Sequence, residues 1–266
     1  MTASLDRVEA LLRERLAGTS RRPFVLGLCG AQGSGKSTLV EGLAARLRGT
    51  GLRVAVLSLD DLYLTKGERQ DLARDIHPLL ETRGVPGTHD VPLGLFVLDR
   101  LAEPGRTLLP RFDKATDTRA PEGTWVEGPV DVVLFEGWCV GARPQPADAL
   151  TAPVNDLERR RDPDGRWRRH VNAELAGSYQ RLFDRIDALV LLAAPDFAIV
   201  RDWRIEQEEN LRRTLRAAGK PADGTMTDEQ VTGFIQFYER LTRHILAEMP
   251  GRADLTVRLD ARRQVI

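Results

Sequence analysis

Residues 30–37, Gly30-Ala31-Gln32-Gly33-Ser34-Gly35-Lys36-Ser37, fit the pattern G-x-x-x-x-G-K-S/T, and no other feature of the chain restricts its fold as strongly. Lysine is scarce, with four in 266 residues, so a chance match has odds of roughly three in a thousand. The pattern has meaning only where a buried strand delivers it and a helix leaves it. Residues 24–28 form a continuous apolar run suited to a strand covered on both faces, and Leu39, Val40, Leu43 and Leu47 recur at helical spacing over residues 38–48. Glycines let such a loop curl so that backbone N–H groups point at phosphate oxygens, and the helix start adds positive potential. Gly30 through Ser37, with Thr38 behind them, are therefore expected to cradle the phosphates of a nucleotide. Lys36 is expected to reach the β- and γ-phosphates and Ser37 to offer its hydroxyl to Mg²⁺.

Short apolar runs return at residues 54–59, 130–135, 188–193 and 255–259, separated mostly by helical stretches. Five such strands predict an α/β fold of the P-loop NTPase type, a mainly parallel sheet with helices on both faces and with lid and acceptor-binding insertions. Leu5, Val8, Leu11, Leu12 and Leu16 predict an amphipathic helix within residues 1–22, with Gly18 as a stop. Thr227 with Gln230 forms a capping-box pattern ahead of Val231, Phe234, Ile235, Tyr238, Leu241, Ile245 and Met249, a long helix ended by Pro250 and Gly251. Residues 137–170 are rich in turn chemistry and poor in apolar periodicity, and read as an insertion. The whole chain, 1–266, reads as one domain, with lid and C-terminal helices over 196–249.

Thirty-nine basic residues balance 39 acidic ones, which removes the positive field a nucleic-acid binder uses and favours a small-molecule partner. The stretches Arg159-Arg160-Arg161 and Arg166-Trp167-Arg168-Arg169 read accordingly as solvated insertion. No apolar run approaches the roughly 18 residues of a membrane span. The charged N-terminal stretch is unlike a secretory signal, so a cytoplasmic location is expected. Two cysteines and four histidines at unpaired spacings argue against a disulfide scaffold or a structural zinc site.

A phosphate loop alone does not separate a kinase from a switch or a motor. Asp60 and Asp61 close the run 54–59, and Glu136 closes the run 130–135, so all three carboxylates are expected at the C-terminal ends of strands, where open parallel sheets bind ligands. One of the paired aspartates is suited to take a proton from an acceptor hydroxyl, and Glu136 to hold the metal or its water.

The combination of residues 30–38, Ser58-Leu59-Asp60-Asp61-Leu62-Tyr63 and Leu134-Phe135-Glu136-Gly137-Trp138 resembles the P-loop kinases that include uridine kinase, phosphoribulokinase and bacterial pantothenate kinase. Arg83-Gly84, Gly87-Thr88-His89-Asp90, Pro110-Arg111-Phe112-Asp113-Lys114, Trp203-Arg204 with Gln207-Glu208, and Met226-Thr227-Asp228-Glu229-Gln230-Val231 resemble, more closely, the plant-type D-glycerate 3-kinase family with its fungal and bacterial relatives. The resemblance runs from about Phe24 to Met249. Leu62 stands where that family usually has an aromatic residue, and Phe112-Asp113 where tyrosine and asparagine are more typical. The resemblance implies an ATP- and Mg²⁺-dependent kinase acting on glycerate, with Asp60 as base, Glu136 as second acidic residue and Arg204 as a lid residue near the transferring phosphate. Glycerate is a carboxylate, so cationic contacts are needed, and Arg83, Arg111 and Lys114 are the candidates. Asp61, Tyr63, His89 and Asp90 complete the expected acceptor side. Two alternatives are the same chemistry on pantothenate, a nucleoside or a sugar phosphate, and a nucleotide-dependent regulatory protein. Oligomeric state is left open.

Overall fold

Helix α1 (Thr2–Ala17) buries Val8 and Leu12 and packs on α2 (Lys36–Gly49), which leaves the glycine-rich loop that follows β1 (Phe24–Gly30). The computed structural model describes residues 2–219, 221 and 224–266. Met1, Lys220, Ala222 and Asp223, which fall within the expected N-terminal helix and lid stretches, lie outside the described residues. The chain continues through β2 (Val54–Ser58), α3 (Lys66–Asp75) and α4 (Val91–Ala102). The short strands β3 (Gly105–Leu109), β4 (Phe112–Asp113), β5 (Thr118–Arg119) and β6 (Thr124–Gly128) lead into β7 (Val132–Gly137). After β7 come α5 (Asp156–Arg161), α6 (Arg166–Ala176), α7 (Ser178–Phe183) and β8 (Ala188–Ala193). The chain closes with α8 (Phe197–Ala217), α9 (Asp228–Glu248) and β9 (Leu255–Arg258).

The expected sheet is present: five parallel strands in the order β2-β7-β1-β8-β9, flanked by helices. Strands β1, β7 and β8 are buried along their whole length, which is why their sequences read as unbroken apolar runs rather than alternating ones. Connection β1 to β2 leaves the sheet centre one way and β7 to β8 crosses β1 to the other side, opening a crevice at the strand ends over β1.

The boundaries differ from expectation in ways that matter for the site. The second run stops at Ser58, and Leu59–Leu62 is a 3₁₀ turn that carries Asp60 and Asp61 off the strand end. In the third run Val130 donates to the Leu101 carbonyl rather than joining the sheet, and the strand instead extends through Glu136 to Gly137. The last strand ends at Arg258. Two antiparallel pairs, β3 with β6 and β4 with β5, stand outside the expected five strands.

Residues 137–170 hold α5 and the start of α6 instead of a run of loop. Their missing apolar periodicity has a physical reason: beside a few buried apolar residues, the helical part buries ion pairs. Glu158 is fully buried against Arg240 at 2.7 Å, and Asp162 against Arg168 at 3.0 Å. Trp167 and Arg168 are therefore buried, contrary to the solvated reading, while Arg159, Arg160, Arg161, Arg166 and Arg169 are exposed. Helix α1 ends at Ala17, next to the expected stop at Gly18, and residues 18–22 of the expected N-terminal segment lie beyond it. Thr227 and Gln230 form the capping box of α9 as the pattern predicts. Cys29 and Cys139 are free and buried, and no helix among the described residues is long and apolar enough to cross a membrane.

Candidate functional site

The register of the sheet places Glu136 between Leu28 of β1 and Ser58 of β2. Beside it the glycine-rich loop turns through left-handed backbone at Gly33 (φ 74°) and Gly35 (φ 85°), the latter being the residue that caps α2. Only glycine takes these conformations without strain. At Gly33 there is a second reason, since an added Cβ would lie 2.7 Å from the Trp203 Cβ of α8. The carbonyl of Gly33 also accepts from Arg263 Nε at 2.6 Å, so the C-terminal turn braces the loop.

Three buried side-chain atoms here, Gln32 Oε1, Ser34 Oγ and Glu136 Oε2, have no hydrogen-bond partner. Such atoms are rare in native proteins and costly unless something else pairs with them. Glu136 Oε1 accepts from Ser58 at 2.8 Å and lies 3.5 Å from the Ser37 hydroxyl. Burial raises the Glu136 pKa, and the positive charge of Lys36 opposes the rise. An orphaned carboxylate oxygen beside a serine hydroxyl held only by a long 3.5 Å bond fits a hard cation shared with phosphates. Among the described residues no group of three or more His, Cys, Asp or Glu side chains forms a metal cage, and an ion held partly by phosphates and water needs none.

The loop opens into a cleft of about 1280 Å³ whose far end is lined by Asp60, Asp61, Tyr63, Arg83, Arg111 and Lys114. Both oxygens of Asp60 are engaged: Lys114 Nζ donates to one at 2.7 Å and the Tyr63 hydroxyl to the other at 2.8 Å. Burial alone would raise its pKa, but the charges of Lys114 and Lys36, together with those two hydrogen bonds, outweigh it and hold the group down to about 2. Asp61 accepts from Arg111 at 3.0 Å and from the Phe112 backbone N–H at 3.1 Å, tying the β4–β5 hairpin to the turn after β2. Its pKa is raised by burial against those bonds. Arg69, fully buried, reaches Asp117 at 2.7 Å from the other side, and Arg83 pairs with the same carboxylate.

Helix α8 also lines the cleft, through Arg204, Gln207, Glu208 and Leu211. Arg204 pairs with Glu208 at 2.6 Å, and Glu208 also accepts from the Met226 backbone N–H at 2.9 Å.

An uncharacterised kinase of Schizosaccharomyces pombe is 35% identical over 230 residues, covering 82% of this chain and 79% of its own. The chloroplastic D-glycerate 3-kinase of Arabidopsis thaliana is 34% identical over 265 residues, 92% of this chain and 54% of that one. The chain belongs to the P-loop kinase family that contains D-glycerate 3-kinase. The solved structure of D-glycerate 3-kinase from Cryptococcus neoformans matches over 99% of this chain and 98% of its own, at TM-score 0.81 and 29% identity. A family model for the methylmalonyl Co-A mutase-associated GTPase MeaB matches residues 3–67 only, the span from α1 through the phosphate loop to the turn after β2. This is the part that nucleotide-binding P-loop proteins of different activity have in common. The chain is thus a phosphotransferase of the ATP-using kinases, with a small-molecule acceptor.

In this kinase the structure brings Lys36, Ser37, Asp60, Asp61, Tyr63, Arg83, Arg111, Lys114, Glu136 and Arg204 to one cleft. It does not bring His89 and Asp90 there. Asp90 caps α4, accepting from the Leu93 N–H at 2.9 Å, and pairs with Arg119 at 3.0 Å. His89 is buried behind Tyr63, stacked on its ring at 4.6 Å, with Nδ1 2.6 Å from the Tyr179 hydroxyl. The sequence reading missed Ser58, Arg69 and Asp117. Nothing local marks them, although the capping box Thr65/Glu68 that starts α3 fixes where Arg69 points.

Proposed function

We propose that this kinase transfers the γ-phosphoryl group of ATP to the C3 hydroxyl of D-glycerate, with Mg²⁺ as the metal. The observation that carries the reading is a carboxylate base, Asp60, paired with Lys114, beside a second carboxylate, Asp61, paired with Arg111, so that two cations line the acceptor end of the cleft. A small alcohol that itself bears a carboxylate matches that charge pattern. The glycerate 3-kinases among its relatives support the same acceptor.

In this reading Asp60 aims the acceptor hydroxyl and takes its proton as the new O–Pγ bond forms and the bond to the departing ADP breaks. Lys36 and Arg204 stabilise charge on the moving phosphoryl group, which in loose phosphoryl transfer is the main task of the protein. Ser37 and Glu136 would hold Mg²⁺, which neutralises charge on the β- and γ-phosphates when bound. In this reading the single domain spans 1–266, with 137–170 as an insertion and 196–249 as lid and C-terminal helices, Arg204 lying on the lid part. Free, buried Cys29 and Cys139 suit the reducing cytoplasm in which we place the enzyme.

The test is ADP release from Mg-ATP by the purified protein with D-glycerate, L-glycerate, pantothenate, uridine, ribulose 5-phosphate or no acceptor. We expect release that depends on D-glycerate, with 3-phosphoglycerate as product. Stimulation by another acceptor but not by glycerate would overturn the substrate while leaving the kinase.

A further inference from the structure

In the free protein Asp60 is not ready to act as a base. Each of its two oxygens accepts a hydrogen bond, one from the Lys114 ammonium and one from the Tyr63 hydroxyl, and the ammonium lowers its affinity for a proton. Tyr63 is buried and packed against the His89 and Phe112 rings at 4.6 and 5.2 Å. Lys114 is different. Its side chain is 59% exposed, and a long, solvated lysine can swing from one carboxylate to another while its backbone stays in place. The backbone beneath it is fixed. The β4–β5 hairpin is tied down by Asp61 through Arg111 and the Phe112 N–H, by Asp117 through Arg69 and Arg83, and by Asp90 through Arg119. The moving part is therefore the Lys114 side chain alone.

We propose that Lys114 is a specificity switch: it occupies Asp60 until an anionic group on the acceptor draws the ammonium away, so that only an alcohol carrying its own carboxylate frees the base. This inference rests on the reading of Asp60 as base given above. An acceptor carboxylate exchanges one ion pair for another, which is nearly neutral in free energy. A neutral alcohol, or water, has no charge to draw Lys114 away, and it meets an aspartate whose affinity for the proton the paired ammonium still lowers. The correct substrate thereby assembles its own catalytic site. Wasteful hydrolysis of ATP by water is suppressed by the same contact.

The test measures ADP release from Mg-ATP with water or glycerol as acceptor, with and without sodium acetate, at ionic strength held constant with sodium chloride. Acetate supplies the missing carboxylate, so we expect it to raise release by the unaltered protein by about threefold or more. Lys114→Gln is expected to be raised already without acetate, to ignore it, and to lose about tenfold in its kcat/KM preference for glycerate over glycerol. Lys114→Arg should restore both the block and the acetate response. A merely structural Lys114 would lower all rates together and leave acetate inert. No acetate effect on the unaltered protein, with Lys114→Gln no faster toward water or glycerol, overturns the switch. An acetate effect without glycerate-dependent ADP release keeps the switch and removes glycerate, so the two failures are distinguishable; and the acetate arm needs no variant that must fold.

Discussion

At the nucleotide end of the cleft the polar atoms wait for a ligand: Gln32 Oε1, Ser34 Oγ and Glu136 Oε2 are buried and unpaired, around a loop shaped by Gly33 and Gly35. At the acceptor end Asp60, Asp61, Arg83, Arg111 and Lys114 are all already paired with protein partners. The first end is built from backbone geometry and is preorganised. The second is built from ion pairs between distant segments and must exchange partners to bind. Preorganised donors lower the cost of charge stabilisation, whereas exchangeable pairs give selectivity at the expense of affinity.

The sharpest way to break this comparison is Asp60→Asn. If the acceptor end alone supplies the base, kcat should fall by about 10²- to 10⁴-fold while ATP affinity is nearly unchanged. Single-turnover kinetics and equilibrium ATP binding read the two separately, and an active variant would remove Asp60 from the chemistry. Gly33→Ala probes the other end. A methyl group at positive φ, set 2.7 Å from Trp203, strains the loop by about 1–3 kcal/mol. ATP should therefore bind about ten- to a hundredfold more weakly, with acceptor KM unchanged at saturating ATP; calorimetric titration of ATP checks it, and unaltered affinity would mean the loop yields easily. Asp117→Asn weakens the hold of Arg69 and Arg83 on the hairpin. Acceptor KM should rise by about three- to tenfold and ATP KM should stay put; a shift in ATP KM instead would show that the two ends are not independent.

The same contrast explains what was legible in the sequence. The phosphate loop is contiguous, and its glycines, its lysine and the strand before it announce themselves within a dozen residues. The parallel sheet was legible for a related reason, because strands buried on both faces cannot hide their apolar runs. At the acceptor end only Asp60 and Asp61 were legible from their place after a strand, while Tyr63, Arg83, Arg111 and Lys114 were legible only through the family resemblance. Arg69 looks like any of the chain's many arginines until α3 turns it under the hairpin. His89 and Asp90 sit together in the sequence, yet one buttresses Tyr63 and the other caps α4. Residues 137–170 were hard to read because Glu158, Asp162, Arg168 and Arg240 do there, as buried pairs, what apolar side chains do elsewhere.

The smallest expected effect concerns His89, the support behind the acceptor end. Burial pushes its pKa down to about 4, with the Asp60 charge opposing, so the ring stays neutral at neutral pH and serves as packing rather than as an acid or base. Unfolded, a histidine binds a proton below about 6.5. Between about 6.5 and 4 the unfolded chain therefore holds the extra proton, and stability falls as pH falls through that window. The Asp60 contribution is lost only lower, as pH drops from 3.8 to about 2, so the two do not overlap. His170 and His244, both shifted down by burial, add slope of the same sign as His89, and only a variant isolates the latter. Urea unfolding at pH 7.5, 6 and 5 should show a steeper loss for the unaltered protein than for His89→Gln. Equal slopes would mean that the ring gains a proton inside the fold, and that the wall behind Tyr63 is softer than the phosphate loop it faces.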